Sequence, residues 1–413
     1  MAKNIRKFVN REFARTVELD LLRRLLEPYR SKLNFDFATL PKDERNRREA
    51  LFEFFRMADE SFPSEFQDAL HCIMVLSNPN GLRILQEQAD RIGVQLIPEQ
   101  EVRGEDDGRH LNPRHVALRA YLDHRAIFDR ALDLHAFVAV PSPMEFVGAR
   151  EGIESRHEDP DSREAFSRAA AQYFSERYLG RYCDVRWYPD EDEINVLVLH
   201  GKNAVTANVE QDGEERVLTF REIAQDTIRY HAPTGRLKTS AQHESEKKKL
   251  AELFAEHLLG DAHFFDGEDS QNLYTLRPIN EAGAAFRFRT DWDEDVVRLR
   301  ITEIQADEGE QVVGGRRKRY SRWGLVVRDY QNALARLAEL APDLDLATAR
   351  INYLKVEFTF RLHGKERRIM VKVKPPGVVS FRRDAFEARI IEHLRRNGLC
   401  VSRGADPLAV AAE

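Results

Sequence analysis

The chain has 413 residues, 42% apolar and 32% charged, with a mean hydropathy of −0.55 and a formal net charge of −6. That length exceeds what one hydrophobic core organises, so two or three domains are expected. No stretch approaches the roughly 20 consecutive apolar residues of a membrane-spanning helix, so no membrane partner is expected.

The first residues, MAKNIRKFVNREFARTVELD, lack the apolar run and small-residue cleavage site of a secretory signal. Cys72, Cys183 and Cys400 are isolated and odd in number, which fits neither a disulfide framework nor a C-x-x-C metal site. Both features point to the cytoplasm. Of the basic residues, 50 are Arg and 14 are Lys, the composition of a GC-rich genome, so a bacterial origin is expected.

From Val9 to Tyr178 apolar residues recur at helical spacing, as in Leu19, Leu22 and Leu26, which predicts an acidic helical domain over 1–178. Ser64 and Gln67 have capping-box spacing ahead of Leu70, Ile73 and Leu76, so a helix should start there. Asn78-Pro79-Asn80-Gly81 reads as the turn that ends it. His115 to His135 reads as one long helix.

Arg119 and His124 form an R-x4-H pair, in which an arginine could stabilise a phosphorane while a histidine acts as acid or base. Five residues of helix set them roughly 140° apart, so no catalysis is expected from them. His124 and His135 lack the companions of a metal site. Neither a catalytic residue, a metal nor a cofactor is assigned.

Beyond Gly180 the period changes to two. Cys183, Val185 and Trp187, then Ile194 to Leu199, Ala204 to Val209, Asp226 to His231 and Arg236 to Ser240 predict an antiparallel meander, followed by a helix from Glu244 to Leu259. This is the second unit, 179–280. Acidic turns occur at 189–193 (PDEDE) and 291–295 (DWDED), and both read as exposed hairpin turns. The string LHGK occurs at Leu199 to Lys202 and again at Leu362 to Lys365, each followed by a TFRE or SFRR run. The two β-rich units could therefore be duplicates, with superposable hairpins at 194–223 and 356–384.

The third unit, 281–403, ahead of a tail at 404–413, differs in charge. From Gln311 to Arg403 there are 21 Lys and Arg against 9 Asp and Glu, a balance of +12 that leaves −16 in residues 1–310. The cations gather in Arg316, Arg317, Lys318 and Arg319 behind Gly314-Gly315, with Tyr320, Arg322 and Trp323 beside them. Ile351 to Leu362 alternates, placing Leu354, Val356, Phe358 and Phe360 on one face. Pairing with the return strand across His363-Gly364 would set Lys355, Arg361, Arg368, Lys372 and Lys374 on the other. A last helix is expected from Asp384 to Arg396.

The fold class is therefore α+β: an all-helical N-terminal domain and two antiparallel β-rich units. Guanidinium groups bind phosphate oxygens bidentately, and released counterions drive association, so nucleic acid is the partner expected for the basic unit. Tyr320 and Trp323 could stack on unpaired bases, which favours single strands or RNA. The helical domain would then serve recruitment or assembly. The alternatives are a scaffold protein whose basic unit meets an acidic protein, and a ribonuclease using Arg119 and His124. Rossmann, Walker A, kinase, zinc-finger and nucleophile-elbow patterns are absent from the sequence.

Overall fold

In the computed structural model, which describes residues 17–33, 35–56, 62–97, 112–139, 143–190, 192–211, 213–267, 269–307, 311–313, 316–318, 324–362, 365–381 and 386–401, the first third is helical. Its helices are α1 (Leu19–Leu26), α2 (Glu44–Arg56), α3 (Ser64–Leu76), α4 (Pro79–Arg91), α5 (Pro113–Asp123) and α6 (Arg125–Ala139). Leu22, Leu51, Phe66, Leu70, Ile73, Leu85, Val116 and Phe128 close one apolar core.

Two local expectations change here. The helix at Ser64 starts where expected, but no side chain caps it; Gln67 Nε2 donates instead to the Phe62 carbonyl at 2.9 Å. Asn78-Pro79-Asn80-Gly81 does not only end a helix. It begins the next, because the Asn78 side chain accepts from the Asn80 and Gly81 amides and Pro79 sits at the first helical position, where its missing N–H costs nothing. Gly81 is required by contact: a Cβ there would lie 2.1 Å from the Leu76 carbonyl oxygen.

The expected single helix from His115 to His135 is broken at His124, whose φ of −136° and ψ of 56° are not helical. The break lets the buried faces of α5 (Val116, Ala120) and α6 (Ile127, Phe128, Ala131) meet the same core.

The chain divides into two compact units, residues 1–138 with 207–218, and residues 139–206 with 219–413. In the second, a first antiparallel sheet is built from β1 (Met144–Val147), β2 (Cys183–Asp190), β3 (Glu193–Gly201), β6 (Ile223–His231) and β7 (Arg236–Ser240), in the order β1-β7-β6-β3-β2. Between β3 and β6 the chain forms β4 (Val205–Gln211) and β5 (Glu214–Phe220), which among the described residues pair with each other as a two-stranded sheet. Helices α7 (Pro160–Glu176) and α8 (Glu244–Phe254) cover one face, burying Phe166, Phe174, Leu250 and Phe254 against Val196, Val198, Ile228 and Tyr230. Gly260, at φ 73°, stops the last helical turn in the left-handed conformation expected of a C-terminal glycine.

A second sheet is ordered β11-β8-β12-β13-β14, from β8 (Val296–Asp307), β11 (Gly324–Arg328), β12 (Arg350–Leu362), β13 (Lys365–Lys374) and β14 (Val378–Ser380). Strands β9 (Gln311–Val313) and β10 (Arg316–Lys318) form a separate two-stranded ribbon between β8 and β11. Helices α9 (Arg277–Ala282), α10 (Ala333–Leu340) and α11 (Glu387–Arg396) complete the core, where Leu354, Val356, Phe358, Phe360, Ile369, Val371 and Val373 are all buried, as the alternation predicts. Phe286 to Arg289, ahead of β8, is irregular chain.

The two sheets are joined within this unit by polar contacts, most of them half-buried. Glu387 at the start of α11 accepts from Lys238 Nζ at 2.9 Å and Arg229 at 3.5 Å, Arg229 also donates to Glu193 at 2.9 Å, and the Tyr274 hydroxyl donates to Glu145 at 2.9 Å.

The two LHGK strings occupy different settings. The first ends β3, with His200 opposite both Cys183 and Ala224; of the second, Leu362 ends β12 opposite Lys365, which begins β13, and His363 and Gly364 lie outside the described residues. The sheets also follow different strand orders, a meander in the first and β8 set between β11 and β12 in the second.

Candidate nucleic-acid interface

The solvent face of the second sheet is set by strand register. Lys355 lies opposite Lys372 and Glu303; Glu357 opposite Met370 and Arg300; Thr359 opposite Arg368 and Arg298; Arg361 opposite Glu366. The β12–β13 pairing therefore brings Lys355, Arg361, Arg368, Lys372 and Lys374 to one face, but Glu303 of β8, Glu357 of β12 and Glu366 of β13 lie among them.

At one end of the face the charges are satisfied. Glu303, nearly buried, accepts from Arg328 Nε at 2.7 Å, Lys355 Nζ at 3.0 Å and the Tyr353 hydroxyl at 2.7 Å. Burial alone would raise this carboxyl, yet the three donors outweigh it and hold it at about 2. Lys372 sits 4.0 Å over the Tyr353 ring, a cation–π contact. Glu357 takes Arg300 at 2.7 Å. A charge count alone would make Lys355 a phosphate ligand; in the fold its ammonium already has a carboxylate.

At the other end Arg298, Arg361 and Arg368 are exposed, and no ion pair joins any of them to another described residue. Cross-strand Cβ atoms lie about 5 Å apart, so Arg298 and Arg368 flank the fully buried Thr359 on either side. Arg298 was readable in the sequence, since Val296 to Glu303 alternates and puts Arg298 and Arg300 on one side. It lies before the region of +12 balance and is not among the residues that the charge count selects.

Arg316, Arg317 and Lys318 form β10, in register with Val313, Val312 and Gln311 of β9, while Gly314 and Gly315 lie outside the described residues. Arg319, Tyr320, Arg322 and Trp323 lie outside the described residues.

Two buried histidines sit elsewhere in the unit. His200 Nε2 lies 3.0 Å from Asp226 Oδ2 and its Nδ1 lies 2.8 Å from the Gly201 carbonyl, with Phe174 stacked 3.6 Å away. Both ring nitrogens are thus engaged. Cys183, directly opposite on β2, is pushed up to about 11 by burial and by the Asp184 and Asp226 charges, which leaves a thiol and not a nucleophile. His393 Nε2 lies 3.0 Å from Asp293 Oδ2, while its Nδ1 and the Trp292 indole nitrogen are buried without hydrogen-bond partners. Arg119 of the R-x4-H pair is buried and meets Glu18 at 3.5 Å, and His124 occupies the α5–α6 joint.

No protein-family model matches the chain, and no curated protein is similar enough to count as a relative. Among the described residues, no helix is long and apolar enough to cross a membrane.

Proposed function

We propose that this protein binds nucleic acid through the solvent face of the second sheet and the basic ribbon inserted between β8 and β11. The observation that carries the reading is the end of the face formed by Arg298, Arg361 and Arg368. Three exposed guanidinium groups stand there without a carboxylate partner among the described residues, while neighbouring Glu303 and Glu357 are already occupied. Such groups suit phosphate oxygens, which they bind bidentately. Arg316, Arg317, Lys318 and Arg319 add positive charge in the segment between Asp307 of β8 and Gly324 of β11, at the opposite end of β8 from Arg298. Tyr320 and Trp323 beside them favour single strands or RNA through base stacking.

The helical N-terminal region serves recruitment or assembly in this reading. Free Cys72, Cys183 and Cys400 fit a reducing, cytoplasmic setting.

The test is a salt titration of the full chain with single-stranded and duplex oligonucleotides. For a single strand each phosphate contact contributes about 0.7 to the slope of log affinity against log salt, so the triple variant Arg298→Gln, Arg361→Gln, Arg368→Gln should flatten it by about 2. Trp323→Ala should weaken single-strand binding by about 1–3 kcal/mol and duplex binding less. Absence of binding at about 50 mM salt, where phosphate contacts are strongest, would overturn the reading.

A further inference from the structure

Arg298, Arg361 and Arg368 form an island on the solvent face of the second sheet and not the start of a track. Arg298 and Arg368 stand on either side of Thr359, each one cross-strand step of about 5 Å away, so their Cβ atoms lie about 10 Å apart. Arg361 follows Thr359 by two residues of β12, about 7 Å along the strand.

The neighbouring cations along the strands are already paired in both directions. On one side Arg300 meets Glu357 at 2.7 Å and Lys355 meets Glu303 at 3.0 Å. On the other, the Arg361 amide donates to the Asp295 carbonyl at 2.7 Å, which brings up the acidic turn, where Arg389 takes Asp295 at 3.2 Å and Arg289 lies 3.9 Å from Asp291. A run of phosphates laid along the strands would leave the free cations at either end.

Charge narrows the ligand further. Glu366, opposite Arg361, is exposed and forms no ion pair with another described residue. Three guanidinium charges less this carboxylate leave +2 across the paired positions. Glu294, the other exposed acid of the turn, precedes β8 and has no place in the register. An internal phosphodiester carries one negative charge, whereas a phosphomonoester carries about −1.5 to −2 at neutral pH and offers three strong acceptor oxygens. Unpaired guanidinium groups this close repel one another, and a compact dianion among them relieves that repulsion while accepting from all three. Tyr353 is committed to Lys372 at 4.0 Å and to Glu303 at 2.7 Å, so base stacking on it does not compete with phosphate recognition.

We propose that this island seats the terminal phosphomonoester of a nucleic-acid strand, with Arg298, Arg361 and Arg368 donating to its oxygens. The inference rests on the nucleic-acid reading above and adds an end preference to it. Internal phosphates, with less charge, occupy the same groups more weakly. Arg316, Arg317 and Lys318 in the same unit suit a ligand that continues as a polyanion, which favours a nucleic-acid end over a phosphorylated peptide.

Fluorescence anisotropy on the full chain at about 50 mM salt would compare one single strand in three forms, 5′-phosphorylated, 3′-phosphorylated and hydroxyl-ended, together with a phosphoserine peptide. At about pH 7.5 one phosphorylated form should bind at least about fivefold tighter than the hydroxyl-ended strand, and this advantage should shrink at about pH 5, below the second phosphate pKa of about 6. The triple variant Arg298→Gln, Arg361→Gln, Arg368→Gln should lose the advantage, and Glu366→Gln should tighten binding of the phosphorylated strand. Equal affinity for phosphorylated and hydroxyl-ended strands would overturn this inference and leave the nucleic-acid reading standing, whereas absence of binding by every strand would overturn both. An advantage that survives in the triple variant, or tighter binding of the phosphoserine peptide than of either phosphorylated strand, would also overturn the assignment.

Discussion

His200 shows how one buried side chain ties stability to pH. Burial taken alone would push its imidazole down, but the bond and charge of Asp226, the Gly201 carbonyl and the nearby Glu246 raise it above its ordinary value. A histidine raised in the folded state contributes stability that is fully present below its unfolded value of about 6.5 and is lost as pH rises through the folded value. Denaturant midpoints measured from about pH 6 to 9 should therefore fall on the alkaline side, and His200→Gln should flatten that fall. Glu303 acts in the opposite sense. Held at about 2 against burial by Tyr353, Lys355 and Arg328, it contributes stability above its unfolded value, and that stability is lost as pH falls through about 2. Glu303→Gln should remove this part of the acid sensitivity, which acid titration of the two proteins followed by circular dichroism would reveal.

At the scale of elements, the acidic segment Asp291 to Asp295 shows where reading from sequence stops. Its composition says exposed turn, and the Asp291 and Asp295 side chains are exposed. Asp293 instead turns inward to anchor α11: it takes Arg389 through both carboxylate oxygens and His393 at 3.0 Å, and these partners hold its carboxyl low against the upward push of burial. Nothing local separates Asp293 from its neighbours, because the groups that select it arrive about 100 residues later in the chain. Asp293→Asn should cost about 2–3 kcal/mol by weakening the acceptor of buried His393 and leaving Arg389 with Asp295, 3.2 Å away, as its remaining carboxylate. Asp295→Asn removes only an exposed ion pair with Arg389 and should cost no more than about 1 kcal/mol. Urea unfolding of the two variants would compare them. The same limit separates what the sequence announces from what it conceals. Period-two alternation located β3, β7 and β12 closely, since each must hide one face. The short β1 escaped notice because four residues give too little alternation to read, and the His124 break depends on where two helices find a shared core. On the solvent face of the second sheet, the cations were visible one by one, but which of them were spent on Glu303 and Glu357 depended on the pairing of β12 with β8.

For the whole molecule, the consequence of charge is its segregation. A net charge of −6 and an isoelectric point near 6.2 predict that a protein with evenly mixed charge would be repelled by a polyanion at neutral pH. Here the +12 balance lies in Gln311 to Arg403, and the face built largely from that stretch keeps Arg298, Arg361 and Arg368 exposed at one end. Local potential and not net charge governs attraction at distances within the screening length of about 8 Å. The full chain should therefore be retained on immobilised heparin at neutral pH and about 50 mM salt, even though it also binds an anion exchanger, and it should elute as rising salt reverses counterion release. The triple arginine-to-glutamine variant should elute earlier from heparin, and, being three charges more negative, later from the anion exchanger. Opposite shifts on the two columns would separate a loss of local polyanion affinity from general unfolding, which would move both profiles without that pairing. Flow-through of the wild-type chain on heparin would mean that the basic face is not presented to solvent partners.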